Sequence, residues 1–198
     1  MKLYNIILLL IFNVFISITL IANDYKSAGS FSNKDEFISY VNFGSIVNHS
    51  GSSKYSDFTK KIARLKKGQK QHFIIKLANS LPSNKLLIWI DWNHDKDFDD
   101  KYEKVFEAKN NNKPFSGKLN VPNYSLLGKT RMRIRLVDSN FISQCKAYGN
   151  SFYGEVEDYS IIIKNVSCTS IIKPKGNHII NNYFVYALKN LKYGLSML

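Results

Sequence analysis

Leu86-Leu87-Ile88-Trp89-Ile90 runs without a polar break into Asp91-Trp92-Asn93-His94-Asp95-Lys96-Asp97-Phe98-Asp99-Asp100, with Glu103 just beyond. An unbroken apolar run this short, bounded by polar residues, fits a strand buried on both faces. Tyr102 to Phe106 also reads as strand, so the acidic stretch becomes the connection of a β-hairpin. Outward from this hairpin the chain keeps the period of two that strands require. Phe37-Ile38-Ser39-Tyr40-Val41-Asn42-Phe43 alternates, as does His72-Phe73-Ile74-Ile75-Lys76-Leu77. Gly117 to Val121 alternates and is stopped by Pro122. Thr130-Arg131-Met132-Arg133-Ile134-Arg135-Leu136-Val137 is the clearest case, with Met132, Ile134 and Leu136 facing in and the three Arg facing out. Val156 to Ile163 reads as a further strand. Turn signals separate these runs at His49 to Ser53, Lys67-Gly68, Asn79 to Asn84 and Asn110 to Pro114. Spaced strands without a convincing amphipathic helix predict an all-β protein, a β-sandwich or jelly-roll-like fold.

The hairpin loop carries the chemistry. Asp91, Asn93, Asp95 and Asp97 recur at every second position, and Asp100 or Glu103 stands where a later carboxylate closes a ligand shell. Oxygen side chains in that alternation suit Ca²⁺, a hard cation that takes about six to eight oxygens from a short loop. Lys96 occupies the position where the helix-loop-helix version needs Gly, and the flanks read as strands, so a calcium-binding hairpin loop is expected rather than an EF-hand. Mg²⁺ fits less well because it keeps more of its water. Zinc would need clustered His or Cys, and only His94 is near. The alternative is a solvated acidic turn.

A second acidic cluster is Tyr153-Gly154-Glu155-Val156-Glu157-Asp158-Tyr159. In a strand, Glu155, Glu157 and Tyr159 share one face while Val156 and Asp158 share the other. A carboxylate on a buried face needs a partner. Asp158 can find one in the Arg131 to Arg135 strand or at the same ion, and Glu155 and Asp158 are counted as candidate metal ligands on that basis. The alternative is an edge strand with a wet acidic face.

The formal charge is +13. Against that background, seven of the fifteen Asp and Glu residues lie between Asp91 and Glu107, and three more are Glu155, Glu157 and Asp158. The Lys residues are diffuse and not interleaved with aromatic residues, which argues for a solvated surface and against nucleic acid as partner. Such a surface still favours anionic polysaccharide or membrane by weak, salt-sensitive attraction. Lys2 followed by the mostly apolar Ile6 to Ile21 predicts a signal peptide over residues 1–22, with the uncleaved anchor as alternative. No stable membrane insertion is expected after its removal. Cys145 and Cys168 can pair in an oxidising compartment. The β domain is expected over residues 24–164, with residues 165–198 a tail whose role the sequence does not give.

The ordered set of motifs resembles the GEVED domain of secreted bacterial proteins, common in Bacteroidetes. Tyr25-Lys26-Ser27-Ala28-Gly29-Ser30, Phe37 to Val41, Phe43 to Ile46, Ser50-Gly51 with Tyr55 to Thr59, Ile90 to Glu103, Thr130 to Arg135 and Tyr153 to Tyr159 carry the resemblance, over nearly all of residues 25–163. The resemblance implies an extracellular, non-catalytic β-sandwich module of the kind that accompanies proteases and adhesins. It also implies a Cys at the position of Lys26 that pairs with the equivalent of Cys145. That bridge cannot form here, leaving Cys145 free or paired with Cys168.

These readings converge on a secreted or cell-surface module, stabilised by Ca²⁺ and binding an extracellular glycan or protein surface. Trp92, Tyr148, Phe152 and Tyr153 are candidate contacts. The runner-up is an accessory or remnant domain of a larger secreted enzyme. Catalysis by this chain itself is disfavoured, because Gly-x-Ser-x-Gly, His-Glu-x-x-His and a phosphate loop are all missing, and His49, His72, His94 and His178 are scattered. Glu155 and Glu157 are the one carboxylate pair that glycoside cleavage could use.

Overall fold

Every element that the computed structural model describes is a strand. The described residues are 24–33, 36–141 and 145–166. The expected signal segment, Cys168 and the tail beyond Val166 lie outside them. In chain order the strands are β1 (Ala28–Ser32), β2 (Phe37–Phe43), β3 (Ile46–His49), β4 (Ser56–Lys66), β5 (Lys70–Ala78), β6 (Asn84–Ile90), β7 (Lys104–Lys109), β8 (Phe115–Asn120), β9 (Gly128–Asp138) and β10 (Gly149–Lys164). One sheet runs β3-β2-β5-β8. The other runs β1-β10-β9-β6-β7, with β4 also pairing β10. The fold is thus the all-β sandwich of two sheets that the alternating runs predict.

The alternating positions meet between the sheets. Val41, Phe43, Phe73 and Ile75 of one sheet pack with Leu86, Ile88, Ile90, Met132, Ile134, Leu136, Tyr159 and Ile161 of the other. Each fully buried Ile, Leu or Phe contributes on the order of 1.5–3 kcal/mol. The run Leu86 to Ile90 is buried on both faces, as its composition requires. Its odd partners, Leu87 and Trp89, join Val137, Phe98 and Ala147 in a second, smaller cluster on the outer face.

That outer cluster changes the reading of β9. Met132, Ile134 and Leu136 do point into the sandwich, but Arg133 and Arg135 on the opposite face are buried too, at 2% and 0% exposure. The chain around residues 26–29 and 145–149 lies over them, and the guanidinium groups hold it there. Arg135 donates to the carbonyls of Lys146 and Tyr148 (2.7 and 2.9 Å) and of Gly29 and Gly149 (3.2 and 2.8 Å). Arg133 donates to the carbonyls of Lys26 and Ala147 (2.9 and 2.8 Å). A guanidinium keeps its charge when buried and offers five donors in a rigid fork, which suits it to this bracing role.

β10 is the longest strand and the organiser. It pairs antiparallel with β9 along one side. On its other side it pairs parallel with β1 first, from Gly149 to Tyr153, and then with β4, from Glu157 to Lys164. Gly154 stands at the handover. Its φ is +116°, and a Cβ there would lie 1.9 Å from the carbonyl oxygen of Leu136, so only glycine fits.

Candidate metal centre

Antiparallel β6 and β7 carry the acidic loop between them, and two apolar side chains pin it. Trp92 is 1% exposed within the sandwich core, and its indole N–H donates to the carbonyl of Tyr102 at 3.3 Å. Phe98 is buried on the outer face, its ring 5.2 Å from that of Tyr25 and 5.2 Å from the Arg133 guanidinium. Trp92 is therefore a core residue and not an exposed contact.

Between these pins the buried Asp91 and Glu103 and the exposed Asp95 and Asp100 bring their carboxylates toward one another. One carboxylate oxygen from each of Asp91, Asp95 and Glu103 lies within 4.8 Å of the others, and Asp95, Asp97 and Asp100 form a second such group. Backbone amides supply part of the compensation. Asp91 accepts from the amides of His94 and Lys96 (2.6 and 3.2 Å) and from the Tyr25 hydroxyl (2.6 Å). Asp95 accepts from the amide of Asp97 at 3.1 Å, and Asp97 from that of Asp99 at 2.8 Å. This winding places His94, Lys96 and Tyr102 at φ of +61°, +71° and +76°, a region that side-chain-bearing residues adopt at a cost. Asn93 donates its amide N–H to Asp95 and Asp100 at 2.7 and 2.6 Å. It would have to turn that amide over to offer oxygen to a cation.

Glu103 shows what the amides do not supply. It is 2% exposed; one carboxylate oxygen accepts from the Trp92 amide at 3.0 Å, and the other is buried with no hydrogen-bond partner. Burial pushes its carboxyl up to about 7, with the negative charges of Asp91 and Asp95 adding to the shift. Asp100 is raised as well, first by its hydrogen bond with Asp95. All-oxygen donors, mostly anionic, with a buried oxygen left unpaired, fit a hard divalent cation.

The loop therefore gathers Asp91, Asn93, Asp95, Asp97, Asp100 and Glu103. Glu155 and Asp158 are engaged elsewhere, because β10 sends them to opposite faces. Asp158 receives a two-pronged contact from Arg133 at 2.7 and 2.8 Å and a longer one from Arg131 at 3.4 Å. Glu155 points into the sandwich and accepts from the Ile38 amide at 2.8 Å. Glu157, also inward, accepts from the hydroxyls of Ser50 and Tyr159 at 2.7 and 2.8 Å. Neither glutamate is on a wet edge. Burial raises Glu155 to about 8 and Glu157 to about 7. Of the expected aromatic contacts, Phe152 is exposed, while Tyr148 and Tyr153 are half-buried. Tyr25, whose hydroxyl closes on Asp91 from 66 residues away, had no local sequence signal.

No curated protein matches the chain. A family model does match, over residues 85–162, from the start of β6 almost to the end of β10. That stretch holds both acidic segments, the loop that gathers its carboxylates and the strand that buries them, and the model it matches is that of the GEVED domain.

Proposed function

We propose that this protein is an exported, calcium-stabilised β-sandwich module that works by binding an extracellular glycan or protein surface. The observation that carries the metal is the convergence of Asp91, Asp95 and Glu103 carboxylates within 4.8 Å, with one buried oxygen of Glu103 unpartnered. A bound Ca²⁺ would accept Asp91, Asp95 and Glu103 as ligands, with Asp97, Asp100 and a turned Asn93 available beside them. It would offset the mutual repulsion of these groups and fix the hairpin tip. A binding role is favoured over catalysis because Glu155 and Glu157, the pair a glycosidase would need, are fully buried and out of reach of any substrate. Export rests on the apolar N-terminal segment of the sequence.

Calorimetric titration of metal-stripped protein with Ca²⁺, alongside melting with and without chelator, tests the metal. An ion that binds only the folded state stabilises it by about 2.7 kcal/mol at 100-fold excess over its Kd. Saturable heat and a melting point several degrees lower in chelator are expected. Superimposable melting curves with verified metal-free protein would remove the calcium from this reading.

A further inference from the structure

The loop that gathers the carboxylates also turns two nitrogen-bearing side chains the other way. His94 and Lys96 of the loop, Lys129 and Arg131 of β9, Thr59 of β4 and Ser160 of β10 line a pocket of about 350 Å³. No carboxylate lines it among the described residues. Lys96 and Lys129 are exposed, and neither is in an ion pair with a described residue. Arg131 has three acidic neighbours among the described residues, and one of them, the exposed Asp57 of β4, accepts from the Thr59 amide at 2.8 Å. Asp24 is 3.9 Å away and itself exposed, and Asp158, at 3.4 Å, is already held at both oxygens by Arg133. His94 Nε2 is buried at the wall without a hydrogen-bond partner. Three cations around one concavity repel one another, and they focus a positive potential into it.

We propose that this pocket is a subsite for the sulfate or carboxylate group of an acidic polysaccharide. The inference deepens the binding role given above and rests on it. A volume of about 350 Å³ is at the small end of ligand sites, which run from about 300 to 1,000 Å³. It admits a sugar ring with its acidic substituent and is far larger than a free ion fills. The lining disfavours single-stranded nucleic acid, which needs open aromatic faces for its bases. Of the two aromatic rings of the pocket, Tyr25 is capped by Arg131 at 4.1 Å and His94 has its Nε2 buried in the wall. The metal loop and the pocket are joined through Asp91, whose two carboxylate oxygens receive the amides of His94 and Lys96. A cation that fixes Asp91 therefore fixes two walls of the pocket.

The test is binding of the full chain to a sulfated oligosaccharide and to an oligouronate at about 0.15 M salt, where diffuse attraction is screened beyond roughly 8 Å. Lys129→Gln and Lys96→Gln should each weaken binding about 5–10-fold, the worth of one hydrogen bond from an ammonium group that stays largely solvated. Lys70→Gln, an equal charge change at an exposed position on the other sheet, should change it less than about 2-fold. Sodium sulfate should compete only at millimolar concentration or above. The proposal is overturned by equal loss in Lys70→Gln, by failure of both acidic glycans to bind, by displacement with micromolar sulfate, or by single-stranded DNA binding as tightly with the same Lys129 dependence. Chelator separates the two readings. If melting ignores chelator while Lys129→Gln still weakens glycan binding, the pocket stands and the calcium falls. If chelator lowers melting while glycan binding ignores Lys129, the calcium stands and the pocket falls.

Discussion

Two segments of this protein hold most of its negative charge, and they handle it in opposite ways. In the strand Gly154 to Asp158 every carboxylate is taken out of water and finds a partner inside the protein, although one Glu155 oxygen is left without a hydrogen bond. Asp158 has the Arg133 fork, Glu157 has two hydroxyls, and Glu155 has the Ile38 amide. The two glutamates escape the remaining cost of burial by holding protons more tightly. In the loop from Asp91 to Glu103 the carboxylates face one another, helped by backbone amides and the Asn93 side chain, and one Glu103 oxygen is left with nothing. The strand answers its charge from within, by the Arg133 fork and by protonation of its glutamates, and ties the layers together. The loop sets its carboxylates against one another, in an arrangement that could hold a metal ion.

The contrast is most exposed at Arg133. Arg133→Met leaves Asp158 buried without its counter-charge, which should cost about 3–5 kcal/mol in urea denaturation. Adding Asp158→Leu should recover the part due to the unpaired charge, since a buried pair replaced by apolar groups is close to neutral, but not the part due to the Lys26 and Ala147 carbonyls that Arg133 also braces. A single mutant less than about 1 kcal/mol below the parent would mean that the strand is not internally balanced. The loop should respond to the solvent instead. Removing calcium should cost about 2.7 kcal/mol relative to a 100-fold excess over Kd, and Asp91→Asn should abolish that difference while Asp158→Asn leaves it in place. Equal chelator sensitivity in the two variants would erase the distinction between the segments.

How much of this was legible in the sequence depends on which face of a strand is considered. The runs Leu86 to Ile90 and Met132 to Leu136 disclosed their inward faces, because alternation is a local property of the chain. It does not disclose what covers the other face. Arg133 and Arg135 read as outward-facing, yet the backbone that encloses them comes from residues 26–29, more than 100 positions away, and from 145–149. The strand β4 gave no signal of its own: Lys60, Lys61, Arg64 and Lys66 are exposed, only Ala63 and Leu65 are buried, and its parallel pairing with β10 leaves no turn between the partners. Asp91 to Glu103 was legible as a cluster because its members are close in sequence. Assigning Glu155 and Asp158 to the same shell extended a charge argument across a strand whose pleat sends them to opposite faces. The Lys96 to Arg131 pocket was invisible, since it joins a loop to three strands distant in the chain.

A smaller effect tests the protonation of the strand. Glu155 and Glu157 are raised from an ordinary 4.5 to about 8 and about 7 in the folded protein. A raised carboxyl stabilises the fold fully below its unfolded value, and that stability is lost as pH climbs through the folded value. Parent stability from these two groups should therefore fall between about pH 5 and 8.5. Glu155→Gln, neutral throughout, should gain on the parent steadily as pH rises across that window, read by denaturation at fixed calcium. A pH-independent difference between the two would place a charged, solvated Glu155 where the structure has a buried one.

The smallest effect decides whether the loop is truly short of positive charge. Lys96 sits at φ +71°, where a residue without a Cβ is less strained, so Lys96→Gly should stabilise the protein by about 0.5–1 kcal/mol in calcium despite the added freedom of the unfolded chain. The same variant loses one wall of the cationic pocket and should bind acidic glycan several-fold more weakly. Stability and binding would then move in opposite directions, as expected if the lysine is kept in a strained turn for what it contacts outside the fold. Were Lys96→Gly to destabilise the protein instead, and more so in chelator than in calcium, its ammonium group would be serving as the loop's own counter-charge. The loop would then be another internally matched segment, differing from the strand only in its exposure to water.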